Sequence, residues 1–127
     1  MAIIDAVNRW LSALNDHDIE AIADAIAPGG TYLEPTLESP IDNEATGQHL
    51  ARFFAVYPDA HWMALMVGAM SDTTAALHWR MTGTYQPNGK PVASNGADFY
   101  TYDPVSDRLS SVVGYFDVLS ALKQTRD

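Results

Sequence analysis

The spacing of apolar residues changes halfway along the chain, and this change restricts the fold more than any other feature. Up to Tyr57, apolar side chains recur every three or four residues, which is the spacing of one face of a helix. From His61 onward they fall in strand-like runs, and Asn88-Gly89 between two of these runs supplies the positive φ angles of a tight hairpin turn. Helices followed by consecutive strands predict an α+β fold.

Three helices are predicted in the first half of the chain. They cover residues 3–14, 19–26 and 46–57. Asp16 or Asp18 is a candidate cap for the second helix, and Thr46 is the candidate cap for the third. Pro28-Gly29-Gly30 is expected to stop the second helix, because proline and glycine disfavour helical continuation.

The rest of the chain is predicted to form strands. They are placed at residues 31–34, 61–70, 74–85, 92–102 and 109–116, with a short terminal helix at 117–124. We expect a cone-shaped, curved antiparallel sheet, closed as an α+β barrel and covered by the three N-terminal helices. A small cone fills with side chains, whereas a larger one keeps a ligand cavity at its mouth. No linker or repeat divides the sequence, so residues 1–127 are interpreted as a single domain.

Composition excludes several classes of function. Sixteen acidic residues against seven basic ones give a net charge of −9, which disfavours binding to nucleic acids and anionic membranes. The chain has no cysteine, which is compatible with a cytoplasmic location and removes thiolate chemistry. No apolar run approaches the roughly 18 residues needed to span a bilayer. The histidines lack metal-ligand spacing, so neither a metal nor another cofactor is expected.

Alternation along the strands predicts which side chains face the pocket. Leu77, Trp79 and Met81 share one face of their strand and form its more apolar side, so we place them inside. On the neighbouring strand Asp98 and Tyr100 share a face. These residues predict a largely apolar pocket with one carboxyl group in its wall.

The order of elements resembles the nuclear transport factor 2-like superfamily, which includes the SnoaL-like polyketide cyclases and the ketosteroid isomerases. The resemblance extends over nearly the whole chain, although its motifs are diffuse. It is carried by residues 7–18, Thr31-Tyr32-Leu33-Glu34-Pro35, Gly47 before Phe53-Phe54, Trp79 with Gly83-Thr84-Tyr85, Tyr115-Phe116-Asp117 and residues 119–124.

The resemblance to ketosteroid isomerases implies three catalytic residues. Glu34 lies where that family carries its general base, an aspartate. Asp98 lies where it carries a protonated carboxylic acid in the oxyanion hole. Trp10 lies where it carries a tyrosine, and an indole N–H is also a hydrogen-bond donor.

Two other branches of the superfamily match less well. The catalytic aspartate of SnoaL-like cyclases would lie close to Gly114, which has no side chain. Limonene epoxide hydrolases use an Asp-Arg-Asp set, for which Arg80 and Asp117 could supply two members while the third position is Thr82. Epoxide hydrolysis therefore ranks lower, and Asp117 is more readily interpreted as the cap of the terminal helix.

These observations favour an enzyme that performs cofactor-free general acid–base chemistry, an isomerisation or an aldol-type cyclisation, on a small apolar carbonyl compound. Glu34 would abstract a proton, and Asp98 with Trp10 would hold the oxyanion. The alternative is a non-catalytic module that binds a small ligand or dimerises. The candidate substrate-binding residues, which could equally be plain core, are Tyr32, Phe54, Met63, Trp79, Met81 and Tyr100.

The resemblance also implies a homodimer, since such folds often pair through the outer face of the sheet. The residues expected to face outward are His78, Arg80 and Thr82, with Trp62 as a second candidate contact.

Overall fold

A computed structural model describes all 127 residues and contains four helices and five strands. The helices are α1 (Ala2–Asn15), α2 (Ile19–Asp24), α3 (Asn43–Val56) and α4 (Val118–Gln124). The strands are β1 (Ile26–Leu33), β2 (His61–Ala69), β3 (Thr74–Tyr85), β4 (Lys90–Asp103) and β5 (Arg108–Phe116). The predicted α+β class is therefore confirmed, with a curved sheet and three helices before its four long strands.

The five strands form one sheet in the order β1-β5-β4-β3-β2, and the sheet does not close into a barrel. Strands β2 to β5 pair antiparallel as predicted, whereas β1 pairs with β5 in parallel. This parallel pair explains an error at the end of the second helix. Ile26 has helical spacing, but it begins β1 and pairs with Leu109, and both side chains are fully buried.

Carboxylate caps start three of the helices. Asp18 accepts a hydrogen bond from Ala21 N at 3.1 Å, and Asp117 accepts one from Ser120 N at 3.0 Å. The cap of α3 is Asp42, which accepts from Ala45 N at 2.8 Å, so the assignment of Thr46 was wrong. Thr46 lies one turn inside the helix, fully buried, and its hydroxyl donates to the backbone oxygen of Asp42.

The helices α1 and α2 pack with the inner face of the sheet around one cluster of buried side chains. The strand alternation was predicted correctly at β3, where Leu77, Trp79 and Met81 are buried and His78 and Arg80 are exposed. None of the four helices is both long and apolar enough to cross a membrane.

Candidate active site

A cavity of about 460 Å³ opens between the inner face of the sheet and the helices α1, α3 and α4. Its wall is mostly hydrophobic, and the polar groups in it are few. Six of the residues predicted for the site line this cavity: Trp10, Tyr32, Glu34, Trp79, Met81 and Asp98. The cavity therefore brings together all three residues proposed as catalytic.

Three residues predicted to line the pocket do not. Phe54 stacks on the ring of His17, with 3.9 Å between ring centroids, and is not part of the cavity wall. Tyr100 is buried in the core and reaches the site only through its hydroxyl. Met63 is 50% exposed and lies outside the cavity.

The predicted faces of Met63 and Trp62 have to be exchanged. Trp62 was expected to face outward, but it lines the cavity and its ring packs near Phe53. The register between β2 and β3 explains both errors. Trp62 pairs with the inward-facing Met81, whereas Met63 pairs with the outward-facing Arg80, and directly paired residues share a face of the sheet.

Glu34 is held at the end of β1 by three hydrogen bonds. Its Oε2 accepts from Thr36 N at 3.0 Å, and its Oε1 accepts from the Thr36 hydroxyl and from Nε2 of His49, the latter at 3.0 Å. Burial alone would raise the pKa of this carboxyl, but the hydrogen bonds from His49 and Thr36 outweigh it and lower the pKa. Glu34 is therefore an ionised acceptor at neutral pH.

His49 is the main functional residue that sequence reasoning missed. It lies on α3, lines the cavity beside Tyr32 and pairs with Glu34. Helical spacing could have found it, because His49 stands four residues before Phe53 and eight before Tyr57, which both line the cavity. Its pairing with Glu34 joins a helix to the loop after a strand, and no local pattern predicts that contact.

Asp98 lies in the middle of β4, on the inner face of the sheet. It accepts a hydrogen bond at 2.8 Å from the hydroxyl of Tyr100. Burial raises the pKa of Asp98 to about 6, the donors Tyr100 and Trp79 oppose that rise, and the charge of Glu34 adds to it. The Trp79 indole is close to the carboxyl without reaching hydrogen-bond geometry.

Two indole N–H groups in the cavity wall have no hydrogen-bond partner. They are Nε1 of Trp10 and Nε1 of Trp79, both fully buried. A buried donor without a partner costs roughly 1–3 kcal/mol, so native proteins seldom leave one unpaired without a reason. The rings that carry both groups line the cavity.

Tyr32 lies between the two carboxyl groups. Burial raises the pKa of its hydroxyl well above the ordinary value, and the charges of Asp98 and Glu34 raise it further. The hydroxyl therefore stays neutral and remains a donor. Its ring packs against Trp10, with 5.7 Å between centroids.

The arrangement gives the cavity two chemically different ends. At one end an ionised carboxylate holds a histidine, and at the other a carboxyl group with a raised pKa lies near neutral donors. The set compared with epoxide hydrolases does not assemble here. Arg80 faces outward and donates to Asn95 at 3.1 Å, Thr82 is exposed, and Asp117 caps α4.

Solved structures share this architecture across most of the chain. A candidate polyketide cyclase from Xanthomonas campestris pv. campestris has a TM-score of 0.88 and 18% identity, covering 98% of this chain and 97% of that one. A hypothetical protein with a ketosteroid isomerase-like fold from Catenulispora acidiphila, in complex with trimethylamine, has a TM-score of 0.85 and 18% identity, with coverages of 94% and 91%.

An LEH-like epoxide hydrolase from M. tuberculosis has a TM-score of 0.77 and 20% identity, covering 97% of this chain and 88% of that one. At such identities these likenesses establish the fold alone. No curated protein sequence matches this chain.

The family comparison establishes more than the fold, because it rests on sequence and spans most of the chain. Residues 7–108 match the SnoaL-like domain, a range that begins within α1, ends at the first residue of β5 and contains every proposed catalytic residue. This chain therefore belongs to the SnoaL-like domain family of the nuclear transport factor 2-like superfamily.

Proposed function

We propose that this protein is an enzyme that moves a proton on a small apolar carbonyl compound by cofactor-free general acid–base catalysis. The observation that carries the proposal is the presence, within one cavity, of an ionised Glu34 carboxylate bonded to His49 and of an Asp98 carboxyl with a pKa raised to about 6. Titratable groups whose environments push their pKa values apart divide naturally into a base and an acid. The reaction would be an isomerisation or an aldol-type cyclisation.

Each end of the cavity has a distinct part in this proposal. The Glu34–His49 pair takes a proton from the carbon beside the carbonyl, and the carbonyl oxygen gains negative charge. Below about pH 6 Asp98 is mostly protonated, and in that form it donates a hydrogen bond to that oxygen beside the Trp10 indole. Positioned donors at a developing charge contribute most in a site that excludes water. The hydrophobic wall suits an apolar substrate.

The experiment is deuterium uptake from D₂O, read by mass shift, with apolar ketones, enones and polyketide-like esters. The candidate polyketide cyclase among the solved relatives supports including the esters. We expect the wild type to label at least one compound. Glu34→Gln and Asp98→Ala should each slow the uptake about tenfold or more, because each removes one positioned group. His78→Ala, on the outer face of β3, serves as the control that retains wild-type uptake.

Absence of uptake with every compound would contradict the proposal. The chain would then be better explained as a non-catalytic module that binds a small ligand in the same cavity. That alternative is tested by titrating the same compounds into the protein and following tryptophan fluorescence. Binding in the cavity should change the emission, since Trp10, Trp62 and Trp79 all line it.

We further propose that the protein is a homodimer formed through its exposed apolar residues. On the edge strand β2, Met63, Leu65 and Met66 are between 44% and 72% exposed, and Phe99 packs on Tyr115 on the outer side of the sheet. Exposed apolar groups of this kind typically mark interaction sites.

Sedimentation at micromolar concentration should give twice the chain mass of 13.9 kDa. Met66→Glu should shift the protein to monomer, because it would bury a charge in the interface. Val105→Glu, in the exposed turn between β4 and β5, should leave the dimer intact. A wild-type protein that sediments as a monomer would refute the dimer.

A further inference from the structure

We propose that His49 is the catalytic base, receiving the substrate proton at Nδ1, and that Glu34 is a positioning residue that holds the imidazole ring through Nε2. This inference rests on the proposed function and specifies which atom of the Glu34–His49 pair takes the proton. It also separates the roles of two groups that lie 3.0 Å apart.

The hydrogen bonds of Glu34 make it a poor base. Three donors occupy its carboxylate, two from Thr36 and one from His49. A carboxylate offers about four lone-pair positions, so little acceptor capacity remains for a substrate proton. These donors also lower the pKa of Glu34, and they would have to be disrupted before it could bind a proton. The side chain is only 5% exposed, which further limits its contact with a substrate.

The hydrogen bond between Glu34 and His49 leaves His49 able to accept a proton at Nδ1. An ionised carboxylate can only accept, so the 3.0 Å contact requires Nε2 to carry the hydrogen. In a neutral imidazole the other nitrogen, Nδ1, then holds the lone pair. Nδ1 makes no hydrogen bond within the protein, and the ring lines the cavity with 22% of its side chain exposed. A carboxylate that fixes the tautomer of a histidine in this way also stabilises the imidazolium that forms.

The proposed step balances without any further reactant. The C–H bond beside the substrate carbonyl breaks, its proton moves to Nδ1 of His49, and its electron pair forms an enolate. The enolate oxygen accepts hydrogen bonds from Trp10 and from Asp98 in the molecules whose Asp98 is protonated, which are the majority below about pH 6. The imidazolium then returns the proton to another carbon, which completes an isomerisation. In a cyclisation the enolate carbon instead attacks a second carbonyl, and the proton goes to the new alkoxide.

The tautomer can be measured without a substrate. ¹⁵N NMR of histidine-labelled protein should show His49, while neutral, carrying its hydrogen on Nε2, with Nδ1 unprotonated. In Glu34→Gln this preference should weaken, because the amide replaces a charged acceptor with a neutral one. His49→Gln identifies the resonance. A neutral His49 that carries its hydrogen on Nδ1 would overturn the inference.

Deuterium uptake in D₂O supplies the functional test. His49→Ala should lose about 10²-fold or more of the wild-type rate, the typical contribution of a general base, and added imidazole should restore part of it. Glu34→Gln should also slow the uptake, by about tenfold or more, because the imidazole loses the charged group that holds its tautomer, and imidazole should not rescue it. The control is His78→Ala, which imidazole should not affect.

The outcomes separate this inference from the function on which it rests. Uptake that survives in His49→Ala but is lost in Glu34→Gln would make Glu34 the base, and only the inference would fail. A wild type that labels no compound would overturn both. Loss in His49→Ala with recovery by imidazole supports both.

Discussion

Replacing Gly96 by alanine is expected to lower the free energy of unfolding by about 3 kcal/mol or more, the upper range for overpacking a well-filled core. Gly96 sits in β4 between Trp79 on β3 and Phe116 on β5. An added Cβ would lie 2.2 Å from Cζ2 and 2.5 Å from Cη2 of Trp79, and 2.6 Å from the backbone oxygen of Tyr115. The indole is buried and the oxygen belongs to a strand, so neither can move aside cheaply.

Urea denaturation followed by circular dichroism measures this effect. The control is Gly68→Ala on the exposed strand β2, where an added Cβ meets nothing within 4 Å, and it should change stability by less than about 0.5 kcal/mol. In a Trp79→Leu background, Gly96→Ala should lower the free energy of unfolding by less than it does in the wild type, because the two ring atoms that clash are absent. A Gly96→Ala protein within 1 kcal/mol of wild type would contradict the close packing of Gly96 against Trp79.

The fold was predictable where its determinants are local. The hairpin of β3 and β4 turns at Asn88-Gly89, but of the positive φ angles expected there only that of Gly89 is present, at +72°. Asn88 acts through its side chain, which accepts from Lys90 N. These residues adjoin the strands that they connect, so the sequence indicated β3 with its observed bounds. The parallel pairing of β1 with β5 was missed, because Ile26 and Leu109 are brought together only by the complete sheet.

The candidate site was likewise predictable only where a local pattern determines it. Alternation along β4 placed Asp98 on the inner face, since a strand fixes side-chain direction at every second residue. The partners of Glu34 were not predictable in this way. The contact with His49 depends on how α3 is rotated against the loop after β1, and the short bonds to Thr36 depend on how that loop turns. Neither geometry is encoded in a repeating pattern.

Replacing Asp98 by asparagine should make the protein more stable than wild type at neutral pH, but not at pH 4. Burial raises the pKa of Asp98 from an ordinary value of 3.8 to about 6. A pKa difference of one corresponds to about 1.4 kcal/mol, so full ionisation of Asp98 costs the folded state about 3 kcal/mol. Asparagine cannot ionise, and its carbonyl oxygen can still accept from Tyr100.

The sign of the pH dependence follows from which state binds the proton. Below about pH 4 the carboxyl is protonated in both states and contributes no difference. Between about pH 4 and 6 the unfolded chain releases the proton while the folded protein keeps it, so wild-type stability falls as the pH rises. Above about pH 6 Asp98 is ionised in both states, and wild-type stability falls no further on its account. The stability of Asp98→Asn relative to wild type should therefore increase by about 3 kcal/mol from pH 4 to pH 7.

Urea denaturation of both proteins at several pH values tests this prediction, and Asp98→Ala provides a matched comparison. The alanine variant also lacks the titrating group, so its stability relative to wild type should rise over the same pH range. It should remain lower than that of Asp98→Asn throughout, because it leaves the Tyr100 hydroxyl without its acceptor. A stability difference that stays constant from pH 4 to pH 7 would show that Asp98 ionises normally, and its part as a neutral donor would then fail. If the stability of Asp98→Asn relative to wild type increases from pH 4 to pH 7, the Asp98 carboxyl lowers the stability of the folded protein at neutral pH. Groups in functional sites commonly have such a destabilising effect.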